Sequence, residues 1–222
     1  MTLHHQEVYD MSRVLLVNGS PHEKGCTYTA LSEIKETLKE EGIESEIFWL
    51  GTQPISGCIA CRSCSKTGEC VFDDIVNAFT KKALEFDGFI FGSPVYYSGM
   101  NGTLMSFMDR VFFSSGRKDP HPFRYKPAAA VVSARRAGTT SAIDQINKYF
   151  LHQQMPIISS RYWNMVHGNN AEEVLQDEEG LQIMRVLARN MAWFLKLKEA
   201  GEKAGVPYPK EEEVRKSTNF IR

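Results

Sequence analysis

Short apolar runs of strand length alternate with segments of helical periodicity along most of the chain, and this alternation constrains the fold more than any other feature. Residues 13–18 (RVLLVN) form a continuous apolar run closed by Gly19, Ser20 and Pro21. A strand without polar alternation is one buried on both faces, as in a parallel sheet. Residues 27–42 follow as a helix, with Ala30, Leu31, Ile34 and Leu38 on one face and Gly42 as a stop signal. The same unit recurs, with strands expected at 44–50, 87–92, 127–133 and 156–162. Helices are expected after Asp73 and Asp74, over 103–113, over 139–153 and over 177–198. Five strands each followed by helices predict an α/β fold: a doubly wound, five-stranded parallel sheet with helices on both faces and right-handed crossovers. Ligands in such sheets bind beyond the carboxyl ends of the strands at the topological switch point, so the loops after the first, third and fourth strands carry the chemistry.

The chain has 222 residues, 42% hydrophobic and 24% charged, which fits one domain with extensions. We divide it into an N-terminal extension (1–12), a domain (13–200) and a C-terminal tail (201–222). With 26 Lys and Arg against 27 Asp and Glu, it has no electrostatic footprint for nucleic acid. Neither a signal peptide nor a membrane-spanning apolar run is visible, so a cytoplasmic location without membrane contact is expected. Five cysteines in a reducing compartment read as metal ligands, reactive thiols or small buried hydrophobes rather than as disulfides.

Four of those cysteines, Cys58, Cys61, Cys64 and Cys70, share one loop (GCIACRSCSKTGECVFDD). Two-residue spacers let successive thiolates face a common centre, as in zinc and iron–sulfur sites. Four cysteines this close are cramped for zinc, which favours a cubane cluster; reduced thiols beside another redox group are the alternative.

The first loop (NGSPHEKGCTYT) offers the hydroxyls of Ser20, Thr27 and Thr29 beside backbone N–H groups at a helix N-terminus, which suits a phosphate. Its His22 could add a donor. Cys26 and Thr27 follow Gly25 where a Walker A loop has Lys-Ser/Thr, and GxGxxG is absent, so nucleotide hydrolysis and a dinucleotide fingerprint both lose ground. A plain strand-to-helix turn is the alternative. The third-strand loop (SPVYYSGMNG) offers the faces of Tyr96 and Tyr97 to a flat ring, with rim packing as the alternative. After the fourth strand, SARRAGTT carries two permanent cations, Arg135 and Arg136, which are either a solvated pair or an anion site. Tyr162, Trp163 and Asn164 stand near a strand end and read as packing, with a border to the ligand or to a partner subunit as the alternative.

Strand-GSPHEKGCT-helix, the cysteine loop ending in Asp73-Asp74, and GSPVYYSGMNGTLMSFMDR together resemble the flavodoxin-like NAD(P)H-dependent FMN reductases, close to the iron–sulfur flavoproteins. The resemblance spans about residues 13–200 and implies strand order 2-1-3-4-5 and FMN at the switch point. It implies a homodimer or homotetramer that takes hydride from NAD(P)H and passes electrons to a quinone, flavin or other small acceptor. An iron–sulfur or flavodoxin-type electron carrier serving protein partners is the other reading. By matching motifs, Ser20, His22, Cys26, Thr27 and Tyr28 would hold the FMN phosphate, with Cys26 replacing a commoner asparagine. Ser93, Pro94, Val95, Tyr96 and Tyr97 would line the isoalloxazine ring, and Ser133, Ala134, Arg135, Arg136 and Gly138 would close over it. No acid–base dyad is required, because the chemistry is centred on the flavin. Cys58, Cys61, Cys64 and Cys70 match the compact motif that holds a 4Fe-4S cluster in iron–sulfur flavoproteins, although similar loops need not carry one.

Overall fold

The computed structural model describes residues 12–116 and 118–210, together with 216 and 218. Of the proposed extension at 1–12 only Ser12 is among the described residues, while of the proposed tail at 201–222 residues 201–210, 216 and 218 are. The elements run β1 (Arg13–Asn18), α1 (Cys26–Glu40), β2 (Glu44–Trp49), α2 (Cys64–Thr67), α3 (Ile75–Lys82), a short 3-10 turn (Ala83–Glu85) and β3 (Gly88–Tyr96). They continue with β4 (Gly99–Met100), α4 (Gly102–Ser115), β5 (Ala128–Ala134), α5 (Thr139–His152), β6 (Met165–His167), α6 (Ala171–Val174) and α7 (Glu178–Lys203).

The sheet order is β2-β1-β3-β5-β6, all parallel, with β4 paired antiparallel to the end of β3. Setting aside the two-residue β4, this is the 2-1-3-4-5 order of a flavodoxin-like sheet. Period-two alternation sorts the core into two layers. Leu15, Val17, Phe89 and Phe91 pack with α3, α4 and α5, while Val14, Leu16 and Ile90 pack with α1 and α7. Phe79 of α3 centres the first layer, with the rings of Phe48, Phe91, Phe107 and Phe123 within 6.3 Å. In the second layer α1 lies close enough to the sheet that a Cβ on Gly92 would sit 2.7 Å from Thr27 Cγ2. Glu33 and Arg185 join α1 to α7 by an ion pair.

The fifth strand is not where the apolar pattern puts it. Residues 156–162 make only a bridge, Ile157 to Ala128, and the strand is β6 at Met165–His167. The reason is polar: Ser160 donates its hydroxyl to Ile183 O and Arg161 pairs with Glu179, so the segment leaves the sheet for α7. Asn164 refills the edge, donating its amide to Ala130 O and accepting from Val132 N–H through its carbonyl. Tyr162 and Trp163 consequently face outward, about half exposed, in a T-shaped pair 4.6 Å apart, and are not core.

Lys126 marks the amino end of β5, where its ammonium donates to Ala83 O and lies over Phe89. Burial pushes it down to about 8 from 10.5, against the opposing pull of Asp87. Between those two values the unfolded chain binds more protons than the fold, so stability should rise with pH across that window. Lys126→Met is expected to flatten this part of the profile relative to wild type, as read by urea denaturation at stepped pH. Identical profiles would contradict the assignment.

Candidate functional site

The carboxyl ends of β1, β3 and β5 release three loops, and hydrogen bonds hold them together. Gly19 N–H donates to Gly92 O at 2.9 Å, and the buried Asn101 amide donates to Gly19 O at 2.7 Å. Thr27 and Ser133 share a hydroxyl–hydroxyl bond of 2.9 Å, joining the first loop to β5. Asn18 shapes the turn by accepting from Ser20 N–H and donating to Glu23 O, and the Trp49 indole donates to Ser20 O.

This geometry redistributes the roles of the first-loop residues. The Thr27 hydroxyl is buried and paired with the Ser133 hydroxyl, either of which can be the donor, and the Thr29 hydroxyl donates to Gly25 O. Ser20 is nearly buried and its oxygen accepts from His22 N–H, leaving its own proton to donate. Gly25 caps α1 with no side-chain hydrogen bond, and no acidic residue stands in the first turn. The α1 N-terminus is therefore an uncapped set of N–H donors with a favourable dipole for an anion. Cys26 reaches toward Gly168 O at 3.7 Å. Burial, reinforced by the nearby Glu173 and Glu172, pushes its thiol up, so it stays protonated rather than nucleophilic. His22 is exposed, and Tyr28 is half-buried.

The second loop is a two-residue hairpin between β3 and β4, with Tyr97 and Ser98 both at positive φ (49° and 59°). Such a turn matches the twist of the flanking strands but strains residues other than glycine. Tyr97 is held fully exposed at its tip and Tyr96 about half exposed, so neither is core. Pro94 and Val95 are partly buried below them. Ser93 is fully buried, accepting from Asn101 N–H and donating to Pro94 O, so it shapes the loop from inside.

The third loop reaches the hairpin at Gly138, whose φ is 90° and where a Cβ would lie 2.6 Å from Ser98 Cα. Ser133 and Ala134 are buried. Arg135 and Arg136 are exposed and have no ion-pair or hydrogen-bond partner among the described residues.

The cysteine loop leaves the end of β2 and lies against α4. Cys58 and Cys61 are exposed, Cys70 is half-buried and Cys64 is buried. All four line one concavity with Ile59, Val71 and Phe113 at its rim. Burial raises the Cys64 thiol, and the neighbouring Cys61, Cys58 and Cys70 raise it further. The Cys61 thiol is instead lowered by hydrogen bonds from the backbone and hydroxyl of Ser63. Among the described residues, no three His, Cys, Asp or Glu side chains form a group that could hold a metal ion.

The loops, their anion-ready helix terminus and the exposed tyrosine hairpin suit a phosphorylated flat cofactor, and comparison with known proteins decides the family. A family model described as NADPH-dependent FMN reductase matches residues 12–170. The chain belongs to that family. An iron–sulfur flavoprotein of Methanocaldococcus jannaschii is 32% identical over 192 residues, covering 83% of this reductase and 98% of the relative. A Bacillus subtilis protein assigned as an NAD(P)H-dependent FMN-containing oxidoreductase is 25% identical over 187 residues, covering 81% and 99% of the two chains. Among solved structures, a flavone reductase superposes with a TM-score of 0.65 at 18% identity, covering 84% of this reductase and 64% of that chain. An archaeal flavodoxin superposes with a TM-score of 0.55 at 14% identity, over 84% and 99% of the two chains. These two likenesses establish the flavodoxin-like fold, and family membership makes the chain a flavin oxidoreductase.

Several residues that organise the reductase's site escaped the sequence reading. Asn18, Trp49, Asn101 and Gln145 act through side-chain hydrogen bonds to loop backbone, which no local pattern announces. Arg110 did leave a signal: it follows Phe107 by three and precedes Ser114 by four, so a charged residue shares the buried face of an apolar helix.

Proposed function

We propose that this reductase binds FMN across the loops following β1, β3 and β5, accepts hydride from NAD(P)H and passes electrons to a small acceptor such as a quinone or flavin. The observation that carries it is the uncapped α1 N-terminus, locked by Asn101 and Thr27 beside the exposed Tyr96–Tyr97 hairpin. FMN, when bound, supplies the hydride-accepting ring. In this reading the phosphate takes the N–H groups of Cys26, Thr27 and Tyr28 and the Ser20 hydroxyl, with the exposed His22 at its outer edge. Thr27, Ser93 and Ser133 serve by fixing loop backbone. Pro94, Val95, Tyr96 and Tyr97 border one ring face, while Ala134 and Gly138 bring the third loop against the hairpin. Residues 13–200 would form the FMN-binding domain.

The cysteine loop supports a second redox centre, because all four thiols line one concavity and the Methanocaldococcus relative is an iron–sulfur flavoprotein. Among the described residues the thiols are not gathered about one centre for any metal, so zinc and a cluster alike would require the loop to rearrange, and the close spacing of four cysteines in one loop favours a cubane over zinc. A cubane spreads its ligands over four irons, and the donor set of Cys58, Cys61, Cys64 and Cys70 fits it. The concavity is narrow, about 20 Å³, so the largely exposed loop would spread to admit the group. A cluster held there would supply one-electron chemistry beside the flavin. Assembly as a homodimer or homotetramer belongs to the same reading, with the exposed Trp193 and Leu197 of α7 available to such a contact.

Arg135 and Arg136, unpaired at the site's rim, fit the dinucleotide phosphates in this reading. Arg135→Ala is expected to raise KM for NADPH about tenfold with little change in kcat, the value of one charge-assisted hydrogen bond. An unchanged KM would remove the arginine from this role. The function itself is tested by steady-state turnover of FMN-loaded protein with NADPH and a small quinone, for which ping-pong kinetics are expected if both substrates share one flavin face. Absence of turnover would favour a protein electron partner.

A further inference from the structure

Arg110 is the largest fully buried side chain among the described residues, and every donor on its guanidinium points at the cysteine loop or its exit. Two parallel bonds, of 2.7 and 2.8 Å, engage the Asp74 carboxylate. Longer bonds reach Ser56 O at 3.3 Å, just before Cys58, and Phe72 O at 3.4 Å, while the Phe72 ring lies 4.8 Å from the guanidinium carbon. The remaining Nε–H donates to Cys70 Sγ at 3.2 Å. Asn77 holds the same residue from the other side, accepting from Cys70 N–H and donating to its carbonyl. Cys70 is thus fixed in backbone and sulfur, whereas Cys58 and Cys61 are exposed.

We propose that Arg110 is the positioning residue of the cysteine loop: its Nε–H orients Cys70 as a cluster ligand and its buried charge raises the potential of the bound cluster. The inference rests on the iron–sulfur reading above. A guanidinium does not lose its proton in a protein, so the donor persists at any working pH. Hydrogen bonds to ligand sulfurs and nearby charge are the levers by which a protein sets a cluster's potential, because they favour the more negative, reduced state. Asp74 tempers the effect by cancelling part of the charge while holding the fork so that Nε faces the sulfur.

The test uses the full chain, loaded with FMN and reconstituted anaerobically with iron and sulfide, with both assayed per chain and the cluster followed by EPR-monitored redox titration. Wild-type protein without bound iron and sulfide would end the cluster reading, and this inference with it, before any variant is compared. With a cluster present, Arg110→Lys keeps a cation but loses Nε–H. At the wild-type midpoint its reduced-to-oxidised ratio should fall about tenfold, or 59 mV for a one-electron couple. Asp74→Asn keeps the arginine and an oxygen able to cap α3, removes the opposing charge, and should move the midpoint upward. Should the lysine variant lose its cluster, the asparagine variant decides: an unchanged or lowered midpoint overturns the proposal. Unchanged midpoints in both variants, or loss of cluster from both with FMN retained, would reduce Arg110 to a structural tie and leave the cluster reading standing.

Discussion

Asp74→Ala should cost about 2–3 kcal/mol of folding free energy, below the range of about 3–5 kcal/mol for a fully buried ion pair, because the Asp74 side chain is 35% exposed while that of Arg110 is buried. The Arg110 side chain is completely buried and Asp74 is its only carboxylate partner among the described residues, at 2.7 Å. Without the carboxylate the guanidinium loses its ion-pair partner, and water entering from the partly exposed Asp74 side offsets only part of that loss. The same substitution removes the α3 cap, since Asp74 Oδ1 accepts from Val76 N–H at 3.0 Å, a bond that contributes about 1 kcal/mol of the total. Asp74→Asn restores the cap and one acceptor and should cost clearly less. Urea denaturation of the three proteins, at matched m-values, reads the difference. A loss below about 1 kcal/mol in the alanine variant would show that the pair contributes as weakly as a surface ion pair.

Gly138→Ala should be the most damaging small substitution at the proposed flavin site. An alanine at φ 90° is strained by about 1–2 kcal/mol, and its Cβ would lie 2.6 Å from Ser98 Cα and 3.0 Å from Val95 Cγ1. Ser98 sits in a hairpin turn already at positive φ, so relief comes by separating the third loop from the tyrosine hairpin. Those two loops are the proposed borders of the ring. FMN affinity is therefore expected to fall at least about tenfold, corresponding to about 1.4 kcal/mol of lost binding. Thermal stability should fall as well. Flavin fluorescence titration of the apoprotein reads the affinity, and wild-type affinity in a destabilised variant would place the ring elsewhere.

Much of the fold was legible in the sequence because its signals are local. The runs of β1, β3 and β5 are unbroken by polar alternation, and α1, α5 and α7 carry clear apolar faces, so both core layers follow from spacing. The fifth strand was misplaced because Pro156 to Ile158 is as apolar as a strand, while the polar residues after it leave for α7 through tertiary contacts. Family motifs located the three loops, but not how their hydroxyls are used. Thr27 reads from the motif as a ligand donor, and only the fold shows that its hydroxyl pairs with Ser133, 106 residues away. Arg110 shows the same limit from the other side. Its unusual place on an apolar helix face is visible in the sequence, whereas its partners Asp74 and Cys70 emerge only when the chain is folded.

The most direct measurement is an anaerobic titration of FMN-loaded protein with NADPH, followed in the visible spectrum. The account predicts tight, stoichiometric FMN binding, bleaching of the oxidised-flavin bands on NADPH addition, and their return when a small quinone is added. A protein that binds no FMN, or whose bound FMN is left oxidised by NADPH and NADH alike, would contradict it.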